Sequence, residues 1–458
     1  MNNNFFLNTE TSEKLYKYAC GLPIIDYHNH LSPEDIAENK RYLDVYDLWI
    51  KPDPYKHRAM RMCGVAEEYI TGCKPGREKF FKWCETVPKL IGNPLYVWSI
   101  AELKAVFNID EMPAAGNAER IYNYCNEYLK KNNVCVNTLL EKFNVEYACP
   151  CASLTDDISM YETHSKLAPS LRGDDIVNIS AEFLNKLEKE TNIHTDDLDS
   201  FKRAVRLRLE YFHKCGCRFS DHALDNGFVF YEDDGKNEER FYALKNGFLS
   251  DSEKEKLSSY ILVFLGGEYA RLDFTMQLHI GAQRYTSSVL REVAGPAGGF
   301  AGIGNSVNVK SLTTFLDALD CTEYRLPKTI LFTLNPADNA IMSVLAGSYS
   351  RDGVSGLITQ GPAWWWCDNK YAIAEMLENT SVFGVLSNFV GMTTDSRSFL
   401  SFVRHDYFRR ILCDFLGSKY ERNELCCAYE DLERLVYKVC YENAGLAIQG
   451  GKADESQR

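Results

Sequence analysis

The 458-residue chain has no apolar run of the roughly 18 residues that a membrane-spanning helix requires; Tyr260 to Leu265 is only strand-sized. A helical membrane span is therefore not expected. Positive charge is not in excess either: 51 lysines and arginines stand against 64 aspartates and glutamates, a formal net charge of −13. Nonspecific nucleic-acid and anionic-membrane binding both want a basic face, so neither partner is expected. An acidic chain that binds an anion must use a few placed arginines. The amino terminus, Met1-Asn-Asn-Asn-Phe-Phe-Leu, shows no basic segment leading into an apolar core, so no secretory signal is expected. The 16 cysteines follow no regular spacing, and Cys149-Pro-Cys151, Cys215-Gly-Cys217 and Cys426-Cys427 lack the paired spacing of a zinc ribbon. Reduced thiols in a cytoplasm are the expected state. Internal repeats and low-complexity segments are also missing.

Histidine is scarce, with nine in the chain, which makes Pro23-Ile-Ile-Asp-Tyr-His28-Asn-His30-Leu31 stand out. In an extended strand alternate side chains share a face and the rise is about 3.3 Å per residue, so two imidazoles one residue apart point the same way. They can converge on one cation such as zinc, just past a buried strand where barrel enzymes display their chemistry. The competing reading is an incidental surface pair.

Residues 8–20 predict a short amphipathic helix opened by Thr9, Thr11 and Ser12. From Ser32 to Lys142 the pattern is helical and aromatic-rich, far too long for a loop. Further strands are expected at Asn144–Cys151, Leu167–Arg172, Gly216–His222, Phe274–Gly281, Lys328–Asn335, Leu357–Trp364 and Phe389–Asp395, with helical stretches between them. About eight strands alternating with helices describe a (β/α)8 barrel of the TIM type, with a helical insertion after the first strand. The expected units are 1–31 (an N-terminal helix and the first strand), 32–142 (the insertion), 143–446 (the rest of the barrel) and 447–458 (a mobile tail).

Asp395 and Arg397 stand two apart in Thr393-Thr-Asp-Ser-Arg397. First and last strands of a closed barrel are neighbours, so Asp395 can join His28 and His30 around one ion with a position left open. Arg397 can form a two-pronged pair with a carboxylate. A structural Asp–Arg pair at a strand end is the plainer alternative. His222 and His279 close later strands and read as ligand, proton carrier or substrate contact, or as satisfied polar residues. The run Trp364-Trp365-Trp366 is either core or a sugar platform.

Ile25-Asp-Tyr-His-Asn-His-Leu31, Tyr55-Lys-His-Arg-Ala-Met-Arg61, Ile91-Gly-Asn-Pro-Leu-Tyr96, Cys217-Arg-Phe-Ser-Asp-His-Ala-Leu-Asp225, Leu278-His-Ile-Gly-Ala282, Leu334-Asn-Pro-Ala-Asp-Asn339 and Val390-Gly-Met-Thr-Thr-Asp-Ser-Arg-Ser-Phe-Leu400 closely resemble uronate (glucuronate) isomerases, a branch of the amidohydrolase superfamily. The resemblance runs in order from about residue 5 to 446. It implies an α/β barrel with a helical insertion that converts D-glucuronate to D-fructuronate and D-galacturonate to D-tagaturonate. It also implies zinc on His28, His30 and Asp395, and contacts to the hexuronate from Arg397, Arg172, the Trp364-Trp365 pair and Tyr55. His222 and His279 are carried as further substrate contacts, and assembly of identical copies is left open.

The chain departs from that pattern at Pro54 and His57, where other members often have histidine and tryptophan around the tyrosine, and at Asn29, which faces away from the metal side. The expected chemistry is a cis-enediol route, with Tyr55 carrying the proton between C2 and C1 and Asp395 helping ring opening or hydroxyl proton transfer. A phenol has an ordinary pKa near 10, so Tyr55 needs a cationic neighbour or the metal to act as a base. Two other readings compete: a metal-dependent hydrolase in which Asp395 activates water, and an inactive sugar-acid-binding relative. A two-metal hydrolase would want a carboxylated lysine or a glutamate on a middle strand, where this chain offers Arg172.

Overall fold

Short apolar stretches separated by helices become parallel strands, because each helix returns the chain to the same end of the sheet. The computed structural model describes residues 4–449 and contains seven such strands: β1 (Ile24–Asn29), β2 (Val145–Ser153), β3 (Ser170–Arg172), β4 (Phe219–Leu224), β5 (Thr275–Ile280), β6 (Thr329–Thr333) and β7 (Ile358–Gln360). They pair in chain order, each parallel to the next. Every residue of β1, β5 and β6 is buried, as expected of a sheet lined by side chains within and covered by helices without. A two-residue antiparallel ladder, Ala282–Gln283 with Gly302–Ile303, ties off a loop beyond β5.

The eighth strand expected at Phe389–Asp395 is not a regular strand. The segment nevertheless runs beside β1 and closes the sheet: Asp395 N donates to His28 O (3.1 Å) and His30 N donates to Ser396 O (2.9 Å). The ladder is interrupted because the Thr393 hydroxyl, rather than a main-chain carbonyl, accepts the His28 N–H at 3.0 Å. Asp395 itself has φ +43°, a left-handed backbone that no continuous strand can hold.

A buried carboxylate pins this seam. Asp26, fully buried, accepts bonds from Thr393 Oγ1 (2.9 Å), Thr394 N (2.7 Å) and Thr394 Oγ1 (2.7 Å). The helix Val403–Glu421 grips the same seam from outside. Arg404 donates to Thr394 O (3.0 Å), and Arg409 donates to Leu22 O and Pro23 O (2.8 and 2.7 Å).

Between β1 and β2 the chain forms helices from Pro33 to Lys142. The first expected helix is Glu10–Ala19, capped by Thr9, whose hydroxyl accepts Ser12 N. At the other end the last helix among the described residues is Asn443–Ile448; of the expected tail 447–458, residues 450–458 lie outside the described residues.

Gly391 opens the closing segment with φ +93°, and a Cβ there would clash with the Val439 carbonyl oxygen. Gly391→Ala is expected to lower stability by about 1–3 kcal/mol, read as a lower Tm. An unchanged Tm would mean that the seam shifts freely.

Candidate active site

The carboxyl ends of the strands surround a cavity of about 360 Å³, at the low end of the range for small-molecule sites. Its walls carry His30 from the end of β1, Asp395 and Arg397 from the closing segment, Arg172 from β3, Tyr55 from the helical region, and Trp365 and Trp366 from beyond β7. Of the residues expected at the site, His30, Tyr55, Arg172, Trp365, Asp395 and Arg397 share this cavity. His28 lies just beneath.

Asp395 Oδ1 stands 3.4 Å from His28 Nε2 and 3.1 Å from His30 Nε2. Burial alone would raise its carboxyl, but the bonds to the two imidazoles outweigh burial and hold it well below the usual carboxylate range. Two donor groups overlap at His28. His28, His30 and Cys151 each place a ligand atom within 4.8 Å of the others, and so do His28, Asp221 and His279. Asp395 Oδ2 and His279 Nε2 are buried without a hydrogen-bond partner among the described residues. Buried polar atoms are ordinarily satisfied, so orphans beside imidazole and carboxylate donors fit a bound divalent cation.

Tyr55 is placed by the start of its helix, Pro54–Met62. Asp53 caps that helix, accepting Tyr55 N (2.9 Å) through Oδ1 and pairing through Oδ2 with Lys56 Nζ (2.7 Å). Lys56 also lies 3.2 Å from Glu102, and all three side chains are 1% exposed. Pro54, a departure from the family pattern, suits a first helical turn, where no N–H is needed. His57 is half-buried, its Nε2 is shielded without a hydrogen-bond partner among the described residues, and burial lowers its pKa to about 4. The rest of the motif builds the opposite wall: Arg58 donates to Gly299 O and Ala301 O (3.1 Å each), and Arg61 donates to Gly298 O.

The Tyr55 hydroxyl has no partner among the described residues. Burial and the Asp395 charge push the phenol well above its ordinary range, and Arg404, 4.8 Å from the ring, opposes them. Arg404 is itself buried between Tyr55 and Trp98, with Asp368 3.6 Å away. Burial drives the Asp368 carboxyl up to about 7 against the pull of Arg404.

The cavity holds three arginines in different states. Arg172 pairs with Asp174 (3.3 Å), and Arg284 pairs with Asp225 (2.9 Å). Arg397 has no carboxylate partner among the described residues.

Two expected residues lie elsewhere. His222 points away from the cavity, against Gly173, and its Nε2 is 2.8 Å from the Tyr269 hydroxyl. Its neighbour Asp221 faces inward instead, 2.6 Å from His279 Nδ1. Alternation along β4 required one of the two to face out, and the sequence pattern did not say which. Trp364 is buried edge-on against His279 (4.7 Å), leaving Trp365 and Trp366 as the cavity indoles. His279 stacks on Phe332 (4.3 Å) and lies 4.6 Å from His28, as part of the floor. Sequence reasoning gave no site role to Asp221 or Arg284, set Cys151 aside with the other cysteines, and carried Trp366 only as part of the tryptophan run. Asp221 left a signal as the neighbour of His222, whereas Arg284 left none.

A family model for glucuronate isomerase matches residues 1–446. The chain belongs to the glucuronate isomerase family. It is 41% identical to the uronate isomerase of Bacillus licheniformis over 97% of this chain and 96% of that one. It is 39% identical to that of Oceanobacillus iheyensis over 98% of each. The crystal structure of uronate isomerase from Thermotoga maritima superimposes with a TM-score of 0.91 at 28% identity, covering 98% of this chain and 99% of that one. The family likeness and the motif order expected from the sequence therefore agree over nearly the whole chain.

Tyr269→Phe separates wall from scaffold. The substitution leaves buried His222 Nε2 unpartnered, which should cost about 1–3 kcal/mol of stability while kcat/KM for the family reaction stays unchanged. A large loss of kcat/KM in a folded variant would tie His222 to the site.

Proposed function

We propose that the chain interconverts aldo- and ketohexuronates, D-glucuronate with D-fructuronate and D-galacturonate with D-tagaturonate, as an intramolecular aldose–ketose isomerase. The observation that carries this reading is an arginine with no carboxylate partner among the described residues, Arg397, facing a cavity that also holds Asp395, His30 and Tyr55. An arginine without a carboxylate of its own is a receptor for the carboxylate of a sugar acid. Trp365 and Trp366 bring indole surface to the cavity, with Arg284 and Arg58 over one face of each and Arg172 at the side.

His28, His30 and Asp395 are the proposed holders of one divalent metal, with zinc suited to the imidazole and carboxylate donors. When bound, such an ion polarises sugar oxygens and stabilises developing negative charge. Asp395, held as a carboxylate, accepts a proton from a sugar hydroxyl during ring opening. Asp395 passes that proton to the ring oxygen as the C1–O bond breaks and, a carboxylate again, takes the C2 proton and returns it to C1 through a cis-enediol. Tyr55 enters as a phenol, because burial and Asp395 outweigh Arg404, and so gives its proton to the C1 carbonyl oxygen as the enediol forms and recovers one from the C2 hydroxyl as the ketone forms. The helical segment 32–142 serves as the insertion that brings Tyr55 over the barrel mouth. The hydrolase alternative draws on the second donor group, His28, Asp221 and His279, but Asp221 and His279 are already bonded to each other.

The test is incubation of the purified protein with each hexuronate in deuterated water, followed by NMR, with metal counted on the same sample. Ketouronate formation with one metal per chain is expected. No product from either sugar by folded, metal-loaded protein would refute the isomerase. Asp395→Asn should lose activity by at least about 100-fold with the melting curve retained. Arg397→Met should act chiefly through a higher KM for the uronate; an unchanged KM would remove Arg397 as the carboxylate receptor.

A further inference from the structure

His28 has two ring nitrogens, and each meets a different neighbour. Nε2 faces Asp395 Oδ1 at 3.4 Å, whereas Nδ1 lies 3.6 Å from Cys151 Sγ. A neutral imidazole has one lone pair to offer a cation; the other nitrogen then carries the proton. Because His30 also turns Nε2 toward the same Asp395 oxygen, an ion shared by these three residues takes Nε2 of His28 and leaves the proton on Nδ1. That Nδ1–H needs an acceptor. Ligating histidines almost always donate this proton to a carboxylate, a carbonyl or water, and here the group in reach is a sulfur.

Cys151 arrives there through the sheet. β2 pairs with β1 at Asn29 and Pro150, which places the next residue of β2 beside the two histidines. The orphaned Asp395 Oδ2 and His279 Nε2 independently point to a ligand at this spot. We infer that Cys151 is a positioning residue of the metal centre: its sulfur accepts the Nδ1–H of His28 and sets the tautomer and ring plane that aim Nε2 at the ion. The inference rests on the proposed assignment of His28, His30 and Asp395 as ligands. The rival geometry is direct ligation by sulfur, since Cys151 Sγ also lies within 4.8 Å of donor atoms on His28 and His30. Sulfur meets His28 on its Nδ1 side, and an ion bound to Nδ1 would leave the Nε2 that faces Asp395 unused.

The experiment compares zinc affinity of the full-length wild type, Cys151→Ala and Cys151→Ser by competition with a chromophoric chelator, with melting curves on each. Alanine should weaken zinc binding about 10- to 100-fold, and serine, which keeps an acceptor and the shape of the strand end, should recover part of that loss. The cobalt-substituted wild type should show no thiolate-to-cobalt charge-transfer band in the near ultraviolet. A strong band that vanishes in Cys151→Ala would overturn the positioning role by making the sulfur a ligand. Wild-type affinity in both variants would overturn this inference alone, whereas a wild-type chain that takes up no metal would sink the ligand assignment with it.

Discussion

The Asp26 carboxylate is the interaction on which the rest depends. It belongs to the first strand, and every bond that Thr393 and Thr394 make to it ties the end of the barrel to its beginning. A fully buried anion is tolerable only when its oxygens are satisfied, so the closing segment must sit where its hydroxyls and amide can serve them. Burial would raise the Asp26 carboxyl, but His405 and Thr394 outweigh burial and keep it below its ordinary value. The constraint then reaches the site directly: one residue beyond Thr394, the backbone turns left-handed at Asp395 and presents its side chain to His28 and His30.

A buried cation works from behind. Arg404 holds Thr394 O and underlies the Tyr55 ring, so one side chain links the positions of both Asp395 and Tyr55. The helix bearing Tyr55 is in turn held by the buried Asp53, Lys56 and Glu102 network. Charges buried this deeply contribute little net stability but do specify one geometry, as expected of a site whose reacting groups come from opposite ends of the chain.

Much of this was legible in the chain. The strand-and-helix alternation, the helical stretch after β1, the shared face of His28 and His30, and the pairing of Asp395 with them all follow from local periodicity and barrel closure. The eighth strand was legible as a segment but not as an irregular one, because its ladder is broken by Thr393, a side chain acting where a carbonyl was expected. Choices between adjacent residues were less legible. Asp221 rather than His222 faces the interior, and Trp365 and Trp366 rather than Trp364 line the cavity. A shift of one residue reverses the face of a strand, and the left-handed φ of +49° at Trp365 turns the indoles in a way that periodicity does not encode.

The sequence by itself determined the family, the parallel barrel architecture and the kinds of donor available for chemistry, because these rest on composition, spacing and the order of motifs. Only the tertiary structure decided which donors meet. The approach of Cys151 to His28, the partnerless state of Arg397 among the described residues, and the placement of Arg404 beneath Tyr55 depend on register and helix packing between segments far apart in the chain. Local patterns set which way a side chain faces within its own element; what it faces is set by the neighbours that folding brings to it.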